Sequence, residues 1–492
     1  MILAQLIEEL DVKKVCGTLD KEISGVCFDS RKAAPGALFT AVKGTVSDGS
    51  EYIDAAIKAG ASAVICSAMP ATLNPDVTYI TVADTSEALG EVASAYYGHP
   101  SERMIVVGVT GTNGKTTIAT LLYKLFKKLG HKTGLLSTVC NMIDDEEVPS
   151  THTTPDPVEL NSLMAKMVER GCSRVFMEVS SHAIDQKRIA GLWFDGAIFT
   201  NLTRDHLDYH KTMEAYLKAK KSFFDNLPAT AFALTNIDDR NGMVMLQNTK
   251  ANKYTYSVTS MADFKCKIKE HSFEGMLLSI NNIEASLGFV GRFNASNLTA
   301  VYGAAYLLQV KPQEIMVALS ALSPVSGRFQ KVVSADGKLA IVDYAHTPDA
   351  LDNVIDTIND IRLENPKYGR LITVVGCGGN RDKGKRPVMA KIAAQKSDNV
   401  ILTSDNPRFE NPSDILSDMT AGLDEKLMKK VIVIENREQA IKTARTMAAA
   451  NDIVLIAGKG HETYQDVQGV KHHFDDREIW GTGDVLMNTE CE

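Results

Sequence analysis

Apolar and polar positions along this chain alternate between two kinds of run, and the alternation predicts its elements. In the first hundred residues, short apolar runs such as Ala63-Val64-Ile65-Cys66 and Tyr79-Ile80-Thr81-Val82 sit between stretches of helical spacing. The helical stretch from Glu87 to Tyr97 ends at Gly98-His99-Pro100. Glycine then proline after a periodic run is a stop signal, so a boundary is expected there. A second block opens with Met104-Ile105-Val106-Val107-Gly108-Val109, which reads as a strand buried on both faces. From Thr116 onward Ile118, Leu121, Leu122, Leu125, Phe126 and Leu129 recur at helical spacing, and Gly130 closes the helix. Further apolar runs at Arg174 to Met177 and Gly196 to Phe199 continue the pattern. Strand alternating with helix implies a parallel sheet. A third block begins near Arg328, with runs at Leu339 to Val342, Leu371 to Val375, Val400 to Thr403, Val431 to Ile434 and Ile453 to Ala457. Helical patterns fill the gaps, as in a dinucleotide-type fold. Residues 240–290 read as irregular, and no internal repeat or low-complexity tract is visible.

The expected fold class is therefore α/β, in three domains: 1–100, a central P-loop-type parallel-sheet domain at 101–327, and a Rossmann-like domain at 328–492. A length of 492 residues agrees with about three domains. Hydrophobic residues at 44% and charged residues at 23% are ordinary for packed cores. A net charge of -8 argues against a nucleic-acid partner held by a basic face. The start, with Glu8, Glu9 and Asp11 close behind Met1, lacks the basic, apolar pattern of a secretory signal. No segment has the roughly 18 apolar residues of a membrane span. A cytoplasmic protein with no membrane insertion, active as a monomer, is expected. The eight cysteines (Cys16, Cys27, Cys66, Cys140, Cys172, Cys266, Cys377 and Cys491) are scattered singly, without a Cys-x-x-Cys pair, and read as free thiols of a reducing compartment.

Candidate chemistry first appears between the strand ending near Val109 and the helix after it. Gly108 to Thr116 approaches the pattern G-x-x-x-x-G-K-[ST] with one residue too many, and Gly111-Thr112-Asn113-Gly114-Lys115-Thr116 is its tighter form. Glycines let backbone N–H groups turn toward phosphate oxygens, and the helix N-terminus adds a positive dipole. Lys115 supplies a cation near the terminal phosphates, and the Thr116 hydroxyl is a candidate Mg²⁺ ligand. Gly111, Thr112, Asn113, Gly114, Lys115, Thr116 and Thr117 are accordingly candidate ATP contacts. The loop alone implies a nucleoside triphosphate and does not separate a ligase from a kinase, a GTPase or a motor. No GTPase base-reading motif follows.

Four further signatures follow in order: Asn201-Leu202-Thr203-Arg204-Asp205-His206-Leu207-Asp208, Gly291-Arg292-Phe293-Asn294 with Asn297, Gly327-Arg328-Phe329, and Asp343-Tyr344-Ala345-His346. With the glycine loop they resemble the Mur ligase family over essentially the whole chain. The resemblance implies a UDP-sugar-binding N-terminal domain, a central ATPase domain and a C-terminal amino-acid-binding domain. It also implies a reaction that uses ATP and Mg²⁺ to add meso-diaminopimelate to UDP-MurNAc-L-Ala-D-Glu for the cell wall. Within the family, Asp29-Ser30-Arg31, Thr153-Thr154-Pro155 and Glu178-Val179-Ser180-Ser181-His182 are similar to segments of the third-residue ligase. Ser30, Thr153, Thr154, Ser180, Gln186 and Arg188 then fall where the nucleotide-linked dipeptide is held. Asp405-Asn406-Pro407-Arg408 and Gly458-Lys459-Gly460-His461-Glu462 are similar to segments of the diaminopimelate-adding form. One departure is visible: Thr45 to Tyr52 keeps Asp48-Gly49 but carries Ser50 and Tyr52 where the family often has histidines and a phenylalanine.

A carboxylate and an amine do not condense in water unaided, since oxide is a poor leaving group. Phosphoryl transfer makes an acyl phosphate that the amine captures, so the protein must position two anions and neutralise charge between them. The residues implied as catalytic are Lys115, Glu178, His206 and Lys220. Glu178 follows an apolar run at the carboxyl end of an expected strand, where open α/β sheets put ligands, and pairs with Thr116 as a candidate Mg²⁺ shell. His206, alone, reads as a structural histidine; by resemblance it is a ligand of a second metal. Lys220, in Tyr216-Leu217-Lys218-Ala219-Lys220-Lys221, reads alone as part of a solvated basic face. The resemblance makes it a carbamylated lysine, an oxygen ligand for Mg²⁺. Asn294, Arg328 and Asp343 match base, ribose and hinge positions, while Asn294 and Asn297 are also candidate helix N-caps. Arg408 is the expected choice-maker, because a guanidinium binds a second carboxylate with two parallel hydrogen bonds, which lysine as substrate lacks. Arg381, Asp405, Asn406, Pro407, Gly458 and Glu462 complete the implied diaminopimelate site. The same reaction with L-lysine and a non-catalytic Mur-like amidotransferase partner are alternatives; the latter is expected to carry a cysteine-rich zinc insertion that is not visible. A kinase or a folate-type glutamate ligase fits Asp405 to Arg408 poorly.

Overall fold

The computed structural model describes residues 1–44, 47–150 and 152–481. Cys491 and the rest of 482–492, and Thr45 and Val46 within the departing segment, lie outside the described residues. Three large sheets follow one another along the chain. The first contains β1 (Val12–Cys16), β2 (Gly25–Cys27), β3 (Ala37–Thr40), β4 (Ala63–Cys66) and β5 (Thr78–Val82) in the order β1-β5-β4-β3-β2, with only β1 antiparallel to its neighbour. The helix expected from Glu87 begins at Thr85, two residues earlier, because Asp84 caps it by accepting from the N–H groups of Ser86 and Glu87.

The second sheet holds β6 (Ile105–Thr110), β7 (Thr133–Leu136), β8 (Asn141–Ile143), β9 (Glu146–Val148), β10 (Arg174–Glu178), β11 (Gly196–Phe199), β12 (Phe232–Asn236), β13 (Asn252–Ser257), β14 (Phe264–Ser272), β15 (Gly275–Ile280) and β16 (Ile283–Leu287). Its order is β16-β15-β14-β13-β12-β11-β6-β10-β7-β8-β9. The strands from β13 to β7 run parallel, as the continuous apolar runs require. The first of them, β6, lies in the middle between β10 and β11, so the chain leaves it first to one side and then to the other. That is a topological switch point. Residues 264–287, expected to be irregular, instead form an antiparallel meander that extends the sheet edge. Phe264, Cys266 and Ile268 alternate with lysines, and Asn281 and Asn282, both at positive φ, turn the last hairpin.

The third sheet contains β17 (Gln330–Val333), β18 (Leu339–Asp343), β19 (Leu371–Cys377), β20 (Asn399–Ser404), β21 (Val431–Val433) and β22 (Ile453–Ala457), ordered β17-β18-β22-β19-β20-β21. All but β17 run parallel. A small hairpin of β23 (Tyr464–Val467) and β24 (Val470–His473) follows. Helices cover both faces of the second and third sheets, and separate apolar clusters lie on the two faces of each. Burial of this apolar area is the main source of stability. Among the described residues, no helix is long and apolar enough to cross a membrane.

Candidate functional site

The carboxyl ends of β6, β10 and β11 face those of β18, β19, β20 and β22 across a cleft of about 1110 Å³. Both sheets thus turn their ligand-accepting edges toward one space.

On the second sheet, the chain turns from β6 through Gly111–Gly114 into the helix Lys115–Lys128. Gly111 lies at φ 148°, where a Cβ would collide with Thr200 Oγ1, so the turn requires glycine. Gly114 precedes the helix at φ 91° and offers no side-chain cap, which leaves first-turn N–H groups for an anion. Lys115 Nζ donates to the carbonyls of Gly111 and Thr112 at 2.9 and 2.8 Å, bending over the loop. Burial lowers its pKa, while Glu178 and Asp205 oppose that fall. Glu178, 1% exposed at the end of β10, accepts from Thr116 Oγ1 at 2.9 Å and from the Thr138 N–H at 2.7 Å. From the other side of the cleft, Arg328 Nη2 reaches Thr116 Oγ1 at 3.4 Å, and its guanidinium lies 4.4 Å over the Tyr344 ring.

Lys220 is where the structure departs most from the bare sequence. In the helix Met213–Asp225 the buried face runs through Tyr216, Ala219, Lys220, Phe223 and Phe224, whereas Lys218 is exposed and Lys221 pairs with Asp225. Lys220 is 1% exposed. Its Nζ donates to the Gly111 carbonyl at 2.8 Å and lies 4.7 Å over the Tyr216 ring. Burial, and then repulsion from Lys115, hold its pKa well below that of an ordinary lysine. The solvated-face reading therefore fails for this one lysine. His206, at φ 54°, packs edge-on against His182 with ring centres 4.8 Å apart, and burial lowers its pKa to about 3. Its imidazole is neutral near pH 7. Asp205 beside it lies 3.9 Å from Lys385 of the third sheet's segment, and Arg204 bonds Asp382 at 3.2 Å.

Thr153, Thr154, Ser180 and Arg188 line the cleft beside Glu178. Gln186 does not line it, but its Oε1 accepts from Arg188 Nε and Nη2 at 3.0 and 2.7 Å and so aims that guanidinium. Ser30 lies in a short turn of the first sheet's segment, outside the lining. Asn294 also lies outside it. The helix Arg292–Leu307 turns Arg292, Phe293, Ser296 and Asn297 into the cleft, and Asn294 falls one step past that arc, donating to the Val290 carbonyl at 2.8 Å. Neither asparagine caps this helix, because Gly291 stands at its N-cap. Asp343 is buried beside Arg328 and accepts from the Phe329 N–H at 2.6 Å; burial pushes its pKa up to about 6.

At the far end, Arg381, Asp405, Asn406, Arg408, Gly458 and Glu462 line the same cleft, and Pro407 is buried between them. Asn406 Nδ2 donates to Glu462 Oε2 at 2.8 Å. Lys459, fully buried, bonds Asn406 Oδ1 at 3.0 Å and Glu462 Oε2 at 3.3 Å. Burial raises the pKa of Glu462, and the neighbouring Asp405 raises it further. Arg408 adopts φ 52° and donates from Nη1 to the Gly379 carbonyl at 2.8 Å. No carboxylate lies within ion-pair distance of it among the described residues. Lys459, His346, Asp205 and Lys385 also stand in or beside the cleft, although their sequence context alone implies no role. Lys459, His346 and Asp205 lie within Gly458 to Glu462, Asp343 to His346 and Asn201 to Asp208, but Lys385 lies in no such motif.

For a divalent cation, the cleft offers the Thr116 hydroxyl and the Glu178 carboxylate, hard oxygen donors 2.9 Å apart beside the phosphate loop. Among the described residues no cluster of three or more His, Cys, Asp and Glu is placed to hold a metal by itself. Two protein oxygens completed by phosphate oxygens and water is the usual Mg²⁺ arrangement, so the residues fit.

A glycine turn of the phosphate-loop pattern at the end of one mainly parallel sheet, facing a cluster of acidic and basic groups on another, is the arrangement of a nucleotide-dependent α/β enzyme. Comparison with known proteins narrows the class. Family models match in sequence: "Mur ligase family, catalytic domain" at 22–97, "Mur ligase middle domain" at 109–305, and "Mur ligase, glutamate ligase domain" at 327–460. The UDP-N-acetylmuramoyl-L-alanyl-D-glutamate–2,6-diaminopimelate ligase of Parabacteroides distasonis is 60% identical over 478 residues, covering 97% of this chain and 98% of the relative. The ligase of the same name from Phocaeicola vulgatus is 59% identical over 479 residues, with coverage of 97% and 98%. A solved structure of a ligase of that name aligns with TM-score 0.68 at 32% identity over 98% of both chains. A MurF ligase from Thermotoga maritima, solved with ADP, shares the fold at TM-score 0.60 and 20% identity, over 88% of this chain and 93% of that one. The chain belongs to the Mur ligase family, and like that family it is an ATP-dependent, amide-bond-forming ligase.

Proposed function

We propose that this ligase joins meso-diaminopimelate to UDP-MurNAc-L-Ala-D-Glu, with ATP and Mg²⁺, in peptidoglycan precursor synthesis. The observation that carries the proposal is the placement of Arg408. A guanidinium with no carboxylate within ion-pair distance among the described residues stands at one end of the cleft that holds the glycine loop, with Asp405, Asn406 and Glu462 lining the same end. That set suits an amino acid with an ammonium for the carboxylates and a distal carboxylate for the guanidinium. The name carried by relatives near 60% identity supports the same substrates.

The segments 1–100, 101–327 and 328–492 divide the work. The first, with Ser30, holds the uridine nucleotide; the second holds ATP and the dipeptide; the third holds the amino acid. Thr153, Thr154, Ser180 and the Gln186-aimed Arg188 orient the dipeptide carboxylate toward the phosphate loop. Lys115, the loop N–H groups and Arg328 hold the phosphates and offset charge as the γ-phosphoryl passes to that carboxylate. The resulting acyl phosphate is attacked by the substrate amine, and phosphate leaves as the amide forms. Thr116 and Glu178, with His206 and Lys220 close by, would hold Mg²⁺, which supplies charge neutralisation at the phosphates when bound. Lys220, buried against one carbonyl, is the lysine we take to react with CO₂, becoming a carbamate with loss of a proton. Asp343 and Arg328 hold the nucleotide from the third segment. Asn294 serves that end through Asn297, whose Nδ2 lies 3.5 Å from its Oδ1. One chain supplies every group named, so a monomer suffices. The seven unpaired cysteines among the described residues suit a reducing cytoplasm.

Phosphate release from ATP, with the UDP-linked dipeptide and single amino acids, tests the proposal. Turnover is expected with diaminopimelate and little with L-lysine. Equal turnover with both refutes the role of Arg408, and no ATP use with any diamino acid refutes the reaction.

A further inference from the structure

Behind the amino-acid end of the cleft lies a fully buried ion pair that the reaction does not use directly. Arg437 and Asp476 are both 0% exposed at their side chains, with Nη2 and Oδ2 2.7 Å apart and Nε to Oδ1 at 2.8 Å. Arg437 opens the helix Arg437–Met447, and Asp476 opens the helix Asp476–Gly481, whose Trp480 is buried in the third sheet's core. A buried pair of this kind adds little net stability, because two charges are taken out of water. Its value must then lie in what it positions.

The remaining donors of Arg437 show what that is. Nη2 donates to the Ala457 carbonyl at 3.0 Å, and Nη1 reaches the Ser404 carbonyl at 3.4 Å. Ser404 is the last residue of β20 and Ala457 the last of β22. These strands are not neighbours, since β19 lies between them. Immediately beyond them begin the two segments that form the amino-acid end of the cleft, Asp405 to Arg408 and Gly458 to Glu462. The segments touch at their roots. A Cβ on Gly458 would press on Asp405 Oδ2 at 2.5 Å, so their separation is set within a narrow range. The planar fork of one guanidinium spans both strand ends and is fixed from behind by Asp476.

We propose that Arg437 is a positioning residue for the amino-acid substrate. By tying the ends of β20 and β22 together across β19, it sets the distance between Asp405-Arg408 on one side and Glu462 on the other. Its charge acts in the same direction: burial would raise the pKa of Asp405, but Lys459 first, and Arg437 after it, keep the group ionised.

The inference rests on the amino-acid site placed above, and steady-state kinetics on the full-length enzyme tests it. Arg437→Lys keeps the charge and removes the fork. The KM for diaminopimelate is expected to rise about tenfold or more, with the KM values for ATP and the UDP-linked dipeptide within about twofold. Asp476→Asn frees the guanidinium from its anchor while leaving both carbonyl bonds, and should raise the same KM by about threefold. A merely structural role would lower the active fraction, and hence kcat, with all three KM values unchanged; that outcome overturns the proposal. Should Arg437→Lys fail to fold, Asp476→Asn decides, and an unchanged amino-acid KM there overturns it equally. A wild-type enzyme that turns over a different amino acid refutes the substrate assignment alone, and the KM for that amino acid is then read in the same variants.

Discussion

Replacing Arg408 with glycine should separate recognition from folding, because the two demands on this position oppose each other. Its backbone lies at φ 52°, the left-handed region, held there by Arg408 N–H to the Asp466 carbonyl at 3.0 Å and Gln468 N–H to the Arg408 carbonyl at 2.8 Å. A non-glycine residue there costs about 1–2 kcal/mol. Glycine removes that strain but adds unfolded-state freedom worth about 0.5–1 kcal/mol. The lost bond from Nη1 to the Gly379 carbonyl costs a further ~1 kcal/mol. These contributions nearly cancel, so Arg408→Gly should change Tm by no more than about 2–4 °C. The activity should behave otherwise. Two charge-assisted hydrogen bonds to the distal carboxylate are together worth about 3–4 kcal/mol, which is roughly a 10²–10³-fold loss in kcat/KM for diaminopimelate. L-Lysine, having no such carboxylate, should lose nothing. The assay is phosphate release with each amino acid beside a thermal melt of the same preparation. An equal loss for both amino acids, or retention of diaminopimelate turnover within about threefold, refutes the assignment.

The phosphate loop, the buried acid and the buried lysine each give a sharper test. Gly111→Ala forces a Cβ into Thr200 Oγ1 at φ 148°, so a destabilisation of about 2–3 kcal/mol and loss of stabilisation by ATP–Mg²⁺ are expected in thermal melts. An unchanged nucleotide-induced Tm shift would count against the loop. Asp343 has its pKa raised from 3.8 to about 6, so the folded chain binds this proton more tightly than the unfolded chain. Its contribution is therefore fully present below about pH 4 and lost as pH rises through about 6, at up to roughly 1.4 kcal/mol per pH unit. The stability of Asp343→Asn relative to wild type should climb over that window and then level; a constant difference from pH 4.5 to 7 refutes the burial argument. Lys220→Ala should lose about 10²-fold or more in kcat and regain part of it with added short carboxylates, measured by phosphate release. Undiminished activity of the variant ends the carbamate assignment.

What the sequence disclosed and what it concealed divide along a physical line. Strands such as β6 and β19 are buried on both faces, so their apolar runs are continuous and read without knowledge of neighbours. The glycine loop was equally legible, because a turn closed against Thr200 leaves no room for another residue. The meander from β14 to β16 was missed although Phe264, Cys266 and Ile268 alternate, because lysines between them mask a half-buried edge as a polar tract. Asn294 and Asn297 show a finer limit. A motif fixes which residues a helix carries, but the angle at which that helix meets the cleft decides which of them faces a ligand, and that angle is set by packing.

Lys220 carries the argument furthest. The string of lysines around it is polar at every second or third position, and helical spacing alone does not tell the buried face from the solvated one. Lys218 and Lys221 keep their water or a carboxylate, whereas Lys220 is drawn under the phosphate loop by Tyr216, Phe223 and Phe224 on the same face. An ammonium placed there without an anion is costly. The position is therefore tolerable only if the nitrogen sheds its charge or acquires a different one. Arg437 solves the same problem in the other way, with Asp476 supplied from the end of the chain. Arg437 keeps its charge because Asp476 pairs with it, whereas Lys220 has no carboxylate within ion-pair distance among the described residues, which is why a reaction is expected of it and not of Arg437. The distinction depends on contacts more than a hundred residues apart for Lys220 and Gly111, which no local pattern encodes.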